Sequence, residues 1–587
     1  MLLTEELSTI AGAAFAAEGL DPAFGAVKTS DRPDLAQFQC NGALAAAKAA
    51  KQNPRAVAEK IAGRLRENAN FAEIGIAGPG FINLTLRDEA LGARIDALIG
   101  DRRLGGWSAP QKETIVLDYG GPNVAKPLHV GHLRAAIIGE CLKDLLRYVG
   151  HEVFGDIHLG DWGLPMGQLI TEVKREQPSL PYFDAAFRGP YPQTSPVTLE
   201  DLERLYPQAS AACKADEARA AEARQATAEL QAGRPGYRAL WRHFVDVSRA
   251  AIEREYADLG VSFDWWKGEA DVDPLIAPMV DALRAKGVAV EDAGATVIHV
   301  AREGDKKEHP PLILYKSDGG VMYGTTDLAT IVDRKNAVDP DRILYVVDGR
   351  QRDHFEQVFR AAEIAGIYPM DRLEHLWFGT MNGKDGKPFK TRAGGVLKLR
   401  DLIDMVEGQA VARLKENGLA EGYGEKEASD VARRIGLAAL KFADLSNPRT
   451  SDYVFDLDRF VAFEGKTGPY LHYASVRVRS VLRKAEAAGA GAPGPLRIQA
   501  KEERDLALTL LQFGEAVRDA AEKRLPHYLC EHAFTLAQAF SKFYAACRIA
   551  DEIDASLRGS RLSLATATGR QLDLALEILG MPAPDRM

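Results

Sequence analysis

The sequence predicts an α/β protein in which a parallel-sheet domain lies between a small N-terminal α/β domain and a C-terminal all-α bundle. Its 587 residues are too many for one hydrophobic core. The apolar strand TIVLDYG (114–120), a helix over 132–149 and the strand EVFGDIHLGDWG (152–163) form a βαβ unit. Strands joined by such a crossover run parallel. From about residue 456 onward the pattern is helical.

The elements fall into four predicted domains. Residues 1–110 contain an Ala-rich helical stretch and the turn and strand GIAGPGFINLTL. Residues 111–380 form the parallel-sheet domain, with an insertion at about 165–300 that includes a solvated helix, DEARAAEARQATAELQAGR. Residues 381–455 hold a lysine-rich loop and a connecting helical region. Residues 456–587 form the bundle, in which the Gly/Pro-rich stretch 489–495 joins two helices.

Composition excludes several classes of protein. The net charge of −9 provides no global attraction to nucleic acid or to anionic membranes, although local patches can overrule such a sum. The five cysteines are scattered without a CxxC pair, which indicates reduced thiols in a cytoplasm and neither a disulfide framework nor a zinc site. We expect no signal peptide, since the N-terminal stretch carries acids, and no membrane span, since no apolar run is long enough.

The most informative motif is HVGH, in which His129 and His132 stand at the start of the predicted helix. This context places both at the carboxyl end of a parallel strand, where open α/β sheets bind ligands, and beside helix N–H groups that suit phosphate. Gly131 lets a ligand approach the backbone, and the imidazoles can donate to phosphate oxygens. Packing residues, helix caps and zinc ligands are the alternatives. The spacing of three without an adjacent glutamate argues against a zinc protease motif.

With its flanks, this motif resembles a known family. GPNVAKPLHVGHLR (121–134) is similar to the HIGH signature of class I aminoacyl-tRNA synthetases, in the version of the arginyl-tRNA synthetases. Further similar stretches follow in order and cover essentially the whole chain: GDWG (160–163), YGTTDLA (323–329), VVDGRQRDHF (346–355), GKPFKTRAGG (386–395), GPYLHYASVRVRSVLRKA (468–485) and the tail ILGMPAPDRM. The resemblance implies a Rossmann-type catalytic domain.

The resemblance also implies an arginine pocket. A guanidinium is planar and permanently charged, so a selective site needs carboxylates that accept its N–H groups in pairs. Asp118 and Asp327 are expected to hold it, while Asn123 and Gln351 orient the amino-acid end and Tyr323 walls the pocket. Taken singly, each acid would usually be a helix cap or a surface charge.

The loop GKDGKPFKTRAGG is expected to close over the polyphosphate of ATP. An exposed basic hairpin is the alternative. In register with the family's KMSKS motif, Thr391 replaces the second lysine, and the resemblance implies that Lys126 compensates. Lys390 and Arg392 are predicted to assist in binding ATP.

The helical domain mixes aromatic and basic side chains that suit a single-stranded RNA loop. Tyr473, Arg477 and Lys484 are the predicted contacts with tRNA, although an ordinary helix with a tyrosine core explains each residue taken alone. By resemblance this is an anticodon-binding bundle, and residues 1–110 touch the outer corner of tRNA.

Together these features predict ATP-dependent attachment of L-arginine to tRNA(Arg) through an arginyl-adenylate. Mg²⁺ accompanies ATP, although no metal-binding cage is evident in the sequence, and the resemblance implies that activation requires bound tRNA. We expect a cytoplasmic monomer. Two rivals are a small-molecule nucleotidyltransferase that uses the same HxGH chemistry and a catalytically silent RNA-binding relative. The first leaves the terminal domains unexplained, and the second would be expected to have lost the histidines or Asp327.

Overall fold

The computed structural model describes residues 2–30, 32, 36–387, 397–419 and 421–587. The chain forms two compact units. One consists of residues 1–109, 419–423 and 462–587, and the other of residues 110–418 and 424–461. The boundaries of the four predicted domains stay a prediction, because a compact unit can combine segments from more than one domain.

The first unit begins with a four-stranded antiparallel sheet and its helices. The strands are β1 (Val27–Thr29), β2 (Phe38–Cys40), β3 (Phe71–Ala77) and β4 (Phe81–Leu86), and the helices are α1 (Leu3–Ala17), α2 (Gly42–Ala50), α3 (Pro54–Arg66) and α4 (Asp88–Gly100). Their order in the sheet is β1-β2-β4-β3. The predicted helical stretch is divided into two helices because Asn53 caps the second and Pro54 occupies its first position.

The second unit is built on a five-stranded sheet in the order β12-β11-β5-β6-β7, with every pair parallel. These strands are β5 (Thr114–Tyr119), β6 (Glu152–Leu159), β7 (Trp265–Gly268), β11 (Arg342–Val346) and β12 (Leu373–His375). The remaining strands are β8 (Val290–Asp292), β9 (Ala295–Ile298), β10 (Leu312–Tyr315), β13 (Met381–Asn382) and β14 (Tyr453–Val454). The predicted parallel sheet is confirmed. Its strand order reverses beside β5, which is where such sheets form ligand crevices.

Helices surround this sheet. They are α5 (Val130–Tyr148), α6 (Leu164–Glu176), α7 (Leu199–Ala215), α8 (Glu217–Gln231), α9 (Pro235–Asp258), α10 (Glu269–Ala285), α11 (Tyr323–Val338), α12 (Arg352–Ile364), α13 (Leu399–Glu416), α14 (Glu425–Leu445) and α15 (Leu457–Phe460). Short 3-10 helices cover Pro22–Gly25, Pro181–Phe183, Gly349–Gln351 and Met370–Arg372. One core joins Val116 and Ile343 of the sheet to Ile276, Leu328 and Phe359 of the helices.

Three local expectations change. The range 165–300, predicted as an insertion, contains β7, because this four-residue strand is too short to stand out in the sequence. Helix α8, predicted to be solvated, buries Ala223, Ala226 and Leu230 on one face. The sequence LWFGTMNGKDGKPFKTRAGG (376–395) also predicts a strand that runs into the lysine-rich loop, and the strand observed there is only β13, which pairs with β14.

The first unit ends with the predicted helical bundle, which is confirmed. Its helices are α16 (Gly468–Ala487), α17 (Lys501–Leu511), α18 (Phe513–Lys523), α19 (His527–Ala546) and α20 (Ala555–Ile578). Within this unit the bundle packs on the N-terminal part. Arg504 pairs with Asp88, and Gln571 donates to Leu104 O at 3.0 Å. No helix in the described ranges is long and apolar enough to cross a membrane.

Candidate active site

The loop between β5 and α5 lies across the carboxyl end of the parallel sheet. The Val124 N–H donates to Gly160 O at 3.0 Å, and the Gly160 N–H donates to Pro122 O at 3.1 Å. These bonds tie the loop to the end of β6 and place Asn123 beside Gly160. A Cβ on Gly160 would lie 2.2 Å from Asn123 Oδ1, so only glycine leaves room for this amide. Asn123 is therefore positioned at the predicted crevice.

The two histidines cap α5 reciprocally. His129 is the N-cap residue, and its Nδ1 accepts from the Gly131 N–H at 3.0 Å. His132 Nδ1 accepts from the His129 N–H at 3.1 Å, and the ring centroids are 4.0 Å apart. The alternative interpretation of the histidines as helix caps is thus correct for the Nδ1 atom of each ring. An Nδ1 that accepts carries no proton, which assigns the proton of each neutral ring to Nε2.

Gly131 is required by the position of the His129 ring. A Cβ at residue 131 would lie 2.7 Å from His129 Cε1 and 2.8 Å from its Nδ1. Any larger residue would push the ring out of its capping geometry. The glycine therefore serves the histidine directly, in addition to opening the backbone to a ligand.

Both histidines are neutral near pH 7. Burial first, and then the charge of Lys126, lowers the pKa of His129. Burial, followed by the neighbouring His129 and Lys126, lowers the pKa of His132 to about 3. Each ring therefore offers an Nε2–H donor without a formal charge, which stabilises negative charge that develops beside it.

This shift predicts a pH dependence of stability. As pH falls, the unfolded chain protonates residue 132 first, so stability present above the ordinary pKa of 6.5 is lost on the way to about 3. At pH 5 the loss relative to pH 8 is at most about 2 kcal/mol for this group. In His132→Gln, glutamine can still reach back to the N-cap N–H but does not titrate. We expect a smaller difference between pH 8 and pH 5 in its urea-unfolding free energy.

Tryptophan fluorescence suits this measurement, because five of the six tryptophans lie in the second unit and only Trp107 lies in the first. The wild type and the variant share all other titrating groups, so the difference between their pH profiles isolates residue 132. Identical profiles would contradict the assigned shift.

Lys126 lies in the same loop, ahead of His129. Its ammonium group stands 4.8 Å from the centroid of the Tyr206 ring, and its charge acts on both histidines. Tyr206 belongs to α7, far away in the sequence, so no local signal indicated it. A cation held over an aromatic face keeps its charge available to a ligand.

Lys390 and Arg392, together with Thr391, lie outside the described residues. Residues 397–399, which follow this segment, pair with residues 128–130 on either side of His129. The Val130 N–H donates to Leu397 O at 3.1 Å, and the Leu399 N–H donates to Leu128 O at 2.9 Å. Residues 397–399, which follow the lysine-rich loop in the sequence, therefore lie beside the histidine pair.

The two acids predicted for the arginine pocket both have side-chain partners within the chain, an arginine and a histidine. Asp118 Oδ2 accepts from Arg334 Nη2 at 2.5 Å, and this aspartate is 17% exposed. Asp327 Oδ2 lies 2.5 Å from His354 Nε2, and this hydrogen bond raises the pKa of His354. Both aspartates act electrostatically on the half-buried His158. The structure therefore brings the two carboxylates into one region of the sheet edge.

The remaining predicted pocket residues lie at the same edge. Tyr323 opens α11 and is 74% exposed, so its ring closes no pocket in this conformation. Gln351 ends the 3-10 helix that follows β11. Their roles in binding arginine stay predictions.

One acid at this edge was missed. Glu269 directly follows β7, accepts from the Trp162 N–H, and feels the charge of Asp327. Burial, and then Asp327, raises its pKa to about 7. An acid at the end of a parallel strand is a recognisable signal, but β7 itself lay hidden in the predicted insertion.

The predicted RNA-contacting side chains lie on α16 of the first unit. Tyr473 is 37% exposed, Arg477 lies over the ring of Tyr544 at 5.2 Å from its centroid, and Lys484 is exposed. They occupy one side of the helix, since their spacings of 4 and 7 residues follow the helical period. This exposed aromatic and basic surface is open to a partner.

Among the described residues, no group of three or more His, Cys, Asp or Glu side chains is arranged to hold a metal ion.

A parallel sheet with a histidine pair capping the helix after its first strand is the arrangement of a class I aminoacyl-tRNA synthetase. The family described as "tRNA synthetases class I (R), catalytic domain" matches residues 94–457. The DALR anticodon binding domain matches residues 471–587, and the arginyl tRNA synthetase N terminal domain matches residues 2–86. The chain belongs to the arginyl-tRNA synthetase family.

Individual relatives agree. The chain is 56% identical over 587 residues to an arginine–tRNA ligase of Hyphomonas neptunium, with 100% of each chain covered. It is 56% identical over 586 residues to that of Maricaulis maris, also with 100% coverage of both. Among solved structures, arginyl-tRNA synthetase from Plasmodium falciparum shares the fold, with a TM-score of 0.81, 24% identity and coverage of 100% and 99%. The predicted fold and enzyme class are confirmed.

Proposed function

We propose that the site at the start of α5 activates L-arginine with ATP and that the same site transfers the arginyl group to tRNA(Arg). Membership of the family supports ATP-dependent arginylation as the overall reaction. In the first step an α-carboxylate oxygen of arginine attacks the α-phosphorus of ATP. The bond to the β-phosphate bridging oxygen breaks, and pyrophosphate leaves. A terminal-ribose hydroxyl of tRNA then takes the arginyl group, and AMP is released.

One observation carries this assignment. The Nδ1 atom of each imidazole accepts a hydrogen bond from a backbone N–H group, which leaves Nε2–H as the donor of each ring. Donors fixed in this way lose no orientation when charge moves to the phosphate oxygens. Because the attacking carboxylate is already ionised and pyrophosphate leaves as an anion, activation needs positioning and charge stabilisation more than proton transfer.

Lys126 supplies the formal positive charge in this scheme. Thr391 replaces the second lysine of the KMSKS motif. The charge of Lys126, which lies in the loop before α5, acts on both histidines. Lys390 and Arg392 would assist in binding the triphosphate. Mg²⁺ would arrive with ATP and take its ligands mainly from the phosphates.

For the amino acid, we propose that Asp118 and Asp327 accept the guanidinium, that Asn123 and Gln351 hold the amino and carboxylate groups, and that Tyr323 closes over the ligand. Lysine lacks the planar fork that pairs with both acids, which would provide discrimination. Glu269 lies close enough to sense Asp327 and would add a third acid to this region.

For tRNA, we propose that Tyr473, Arg477 and Lys484 contact the anticodon loop and that the N-terminal part touches the outer corner of the molecule. Aromatic faces stack unpaired bases and cations hold phosphates. We propose further that bound tRNA is needed for activation, that the protein acts as a monomer, and that its compartment is the cytoplasm, in line with its scattered cysteines.

The first experiment is arginine-dependent ATP–pyrophosphate exchange with total tRNA present and then absent, using lysine and glutamine as controls. We expect exchange with arginine only, and only with tRNA. Exchange without tRNA would overturn the proposal that bound tRNA is needed for activation, and it would favour a nucleotidyltransferase-like activity. Exchange with lysine would overturn the assignment of the two aspartates, and no exchange under any condition would indicate a silent relative.

A further inference from the structure

A buried arginine lies beneath the proposed arginine pocket. Arg334, on α11, is fully buried. Its Nη2 donates to Asp118 Oδ2 at 2.5 Å and to Asp156 Oδ2 at 2.7 Å, and its Nε donates to Asp156 Oδ2 at 2.9 Å. The chain therefore already contains one guanidinium bound to the acid that is proposed to bind another.

The sheet register explains why this arginine is present. Tyr345, Asp118 and Asp156 are paired residues on three neighbouring strands, β11, β5 and β6. Side chains of paired residues in parallel strands project from the same face, so the two carboxylates are neighbours. Two such anions at a buried position repel each other unless a cation lies between them. Arg334 is that cation, and it lies over the Tyr345 ring at 5.3 Å from its centroid.

The two acids are not equivalent. Asp156 is fully buried and receives two donors from Arg334, whereas Asp118 is 17% exposed and receives one. The bond occupies Oδ2 of Asp118 and leaves Oδ1 for a ligand. Two carboxylates and one guanidinium carry a net charge of −1, so this cluster keeps one negative charge for the substrate guanidinium, beside that of Asp327. His158, whose pKa is lowered chiefly by burial, adds no charge near pH 7.

We propose that Arg334 is a positioning residue for the amino-acid substrate. It fixes the orientation of Asp118 and neutralises Asp156, so that the floor of the pocket presents one oriented carboxylate to the substrate guanidinium. This inference rests on the proposed role of Asp118. Under this inference, arginine recognition depends on Arg334, whereas ATP binding at the histidine pair does not.

The test uses the full chain and steady-state aminoacylation with tRNA present. Arg334→Gln alone leaves two buried acids without a cation and can fail to fold, so it is combined with Asp156→Asn, which removes one of those charges. We expect this double variant to raise the arginine KM roughly tenfold or more, the effect of losing one charge-assisted hydrogen bond, with the ATP KM nearly unchanged. Arg334→Lys keeps the charge without the fork and should raise the arginine KM by a smaller factor.

A mutant cycle separates positioning from general stability. If Arg334 acts through Asp118, adding Asp118→Asn to the double variant raises the arginine KM no further than Asp118→Asn alone. Arg360→Lys is the matched control, because Arg360 is also buried and paired with two acids, Asp305 and Glu356, and it has no proposed role at the site. Its arginine KM should equal that of the wild type.

Three outcomes would overturn the inference. A normal arginine KM in the double variant, with an elevated one in Asp118→Asn, would remove Arg334 from recognition and leave the proposed pocket intact. A parallel rise of the arginine and ATP KM values would indicate a structural role only. A normal arginine KM in Asp118→Asn would overturn the pocket itself, and the inference with it.

Discussion

Lys126→Ala is expected to lower arginine-dependent pyrophosphate exchange by about 10² or more and to leave the KM for arginine nearly unchanged. The reason is the position of the charge. Lys126 acts electrostatically on both histidines, and its ammonium lies over the Tyr206 ring at 4.8 Å from the centroid. With threonine at 391, no second lysine of the KMSKS pattern is present to replace it. The lost charge would destabilise the leaving pyrophosphate, which exists only after arginine has bound.

The measurement is exchange with tRNA present, with ATP varied at saturating arginine and then arginine varied at saturating ATP. Lys126→Arg keeps the charge and should retain more activity than the alanine variant. Lys286→Ala removes an exposed lysine from the end of α10 and serves as the control. Near-normal exchange in Lys126→Ala would transfer the role to Lys390 or Arg392, and a raised KM for arginine alone would place Lys126 in the amino-acid pocket.

Arg134→Met is expected to cause the largest loss of stability, about 3–5 kcal/mol in the free energy of unfolding. Arg134 Nε donates to Asp444 Oδ2 at 2.9 Å, and the two side chains are 3% and 0% exposed. Its Nη1 donates to Ser451 O at 3.2 Å, and the guanidinium lies over the Tyr453 ring at 5.1 Å from the centroid. Methionine would leave Asp444 buried and unpaired, and a buried unpaired charge is costly.

Urea unfolding followed by tryptophan fluorescence measures this loss, because most of the tryptophans lie in the second unit. Arg434→Met is the control, since Arg434 and Asp430 form an exposed pair on α14, with side chains 43% and 57% exposed, worth about 0.5 kcal/mol or less. Arg134→Met combined with Asp444→Leu should regain much of the loss, because no unpaired charge remains. Equal losses in the single and double variants would show that the contacts to Ser451 and Tyr453 dominate.

Several elements could be predicted because their signals are local. The apolar run of β5 and the helix that begins beside the histidines were each recognisable from a few neighbouring residues. The observed α5 begins two residues earlier than predicted, at Val130, because the His129 ring caps it. Capping by histidine follows from ring orientation, which a residue pattern does not contain.

The motifs also predicted where the site lies. HVGH, Asp118, Asn123, Asp327 and Gln351 all lie at or near the carboxyl edge of the parallel sheet, because the ends of parallel strands meet there. The roles of these residues in binding stay predictions. The lysine loop, with Lys390 and Arg392, lies outside the described residues, and its closure over ATP also stays a prediction.

The sequence by itself determined the class of fold, the family and the edge of the sheet where the active site is predicted, since each depends on short contiguous patterns. Only the tertiary structure decided the rest. Arg334 meets Asp118 across 216 residues, Tyr206 meets Lys126 from a distant helix, and Arg504 joins the bundle to Asp88 of the N-terminal part. Such pairs depend on strand register and helix packing across the whole chain, and burial makes them obligatory, because a charge removed from water needs a partner that local sequence does not specify.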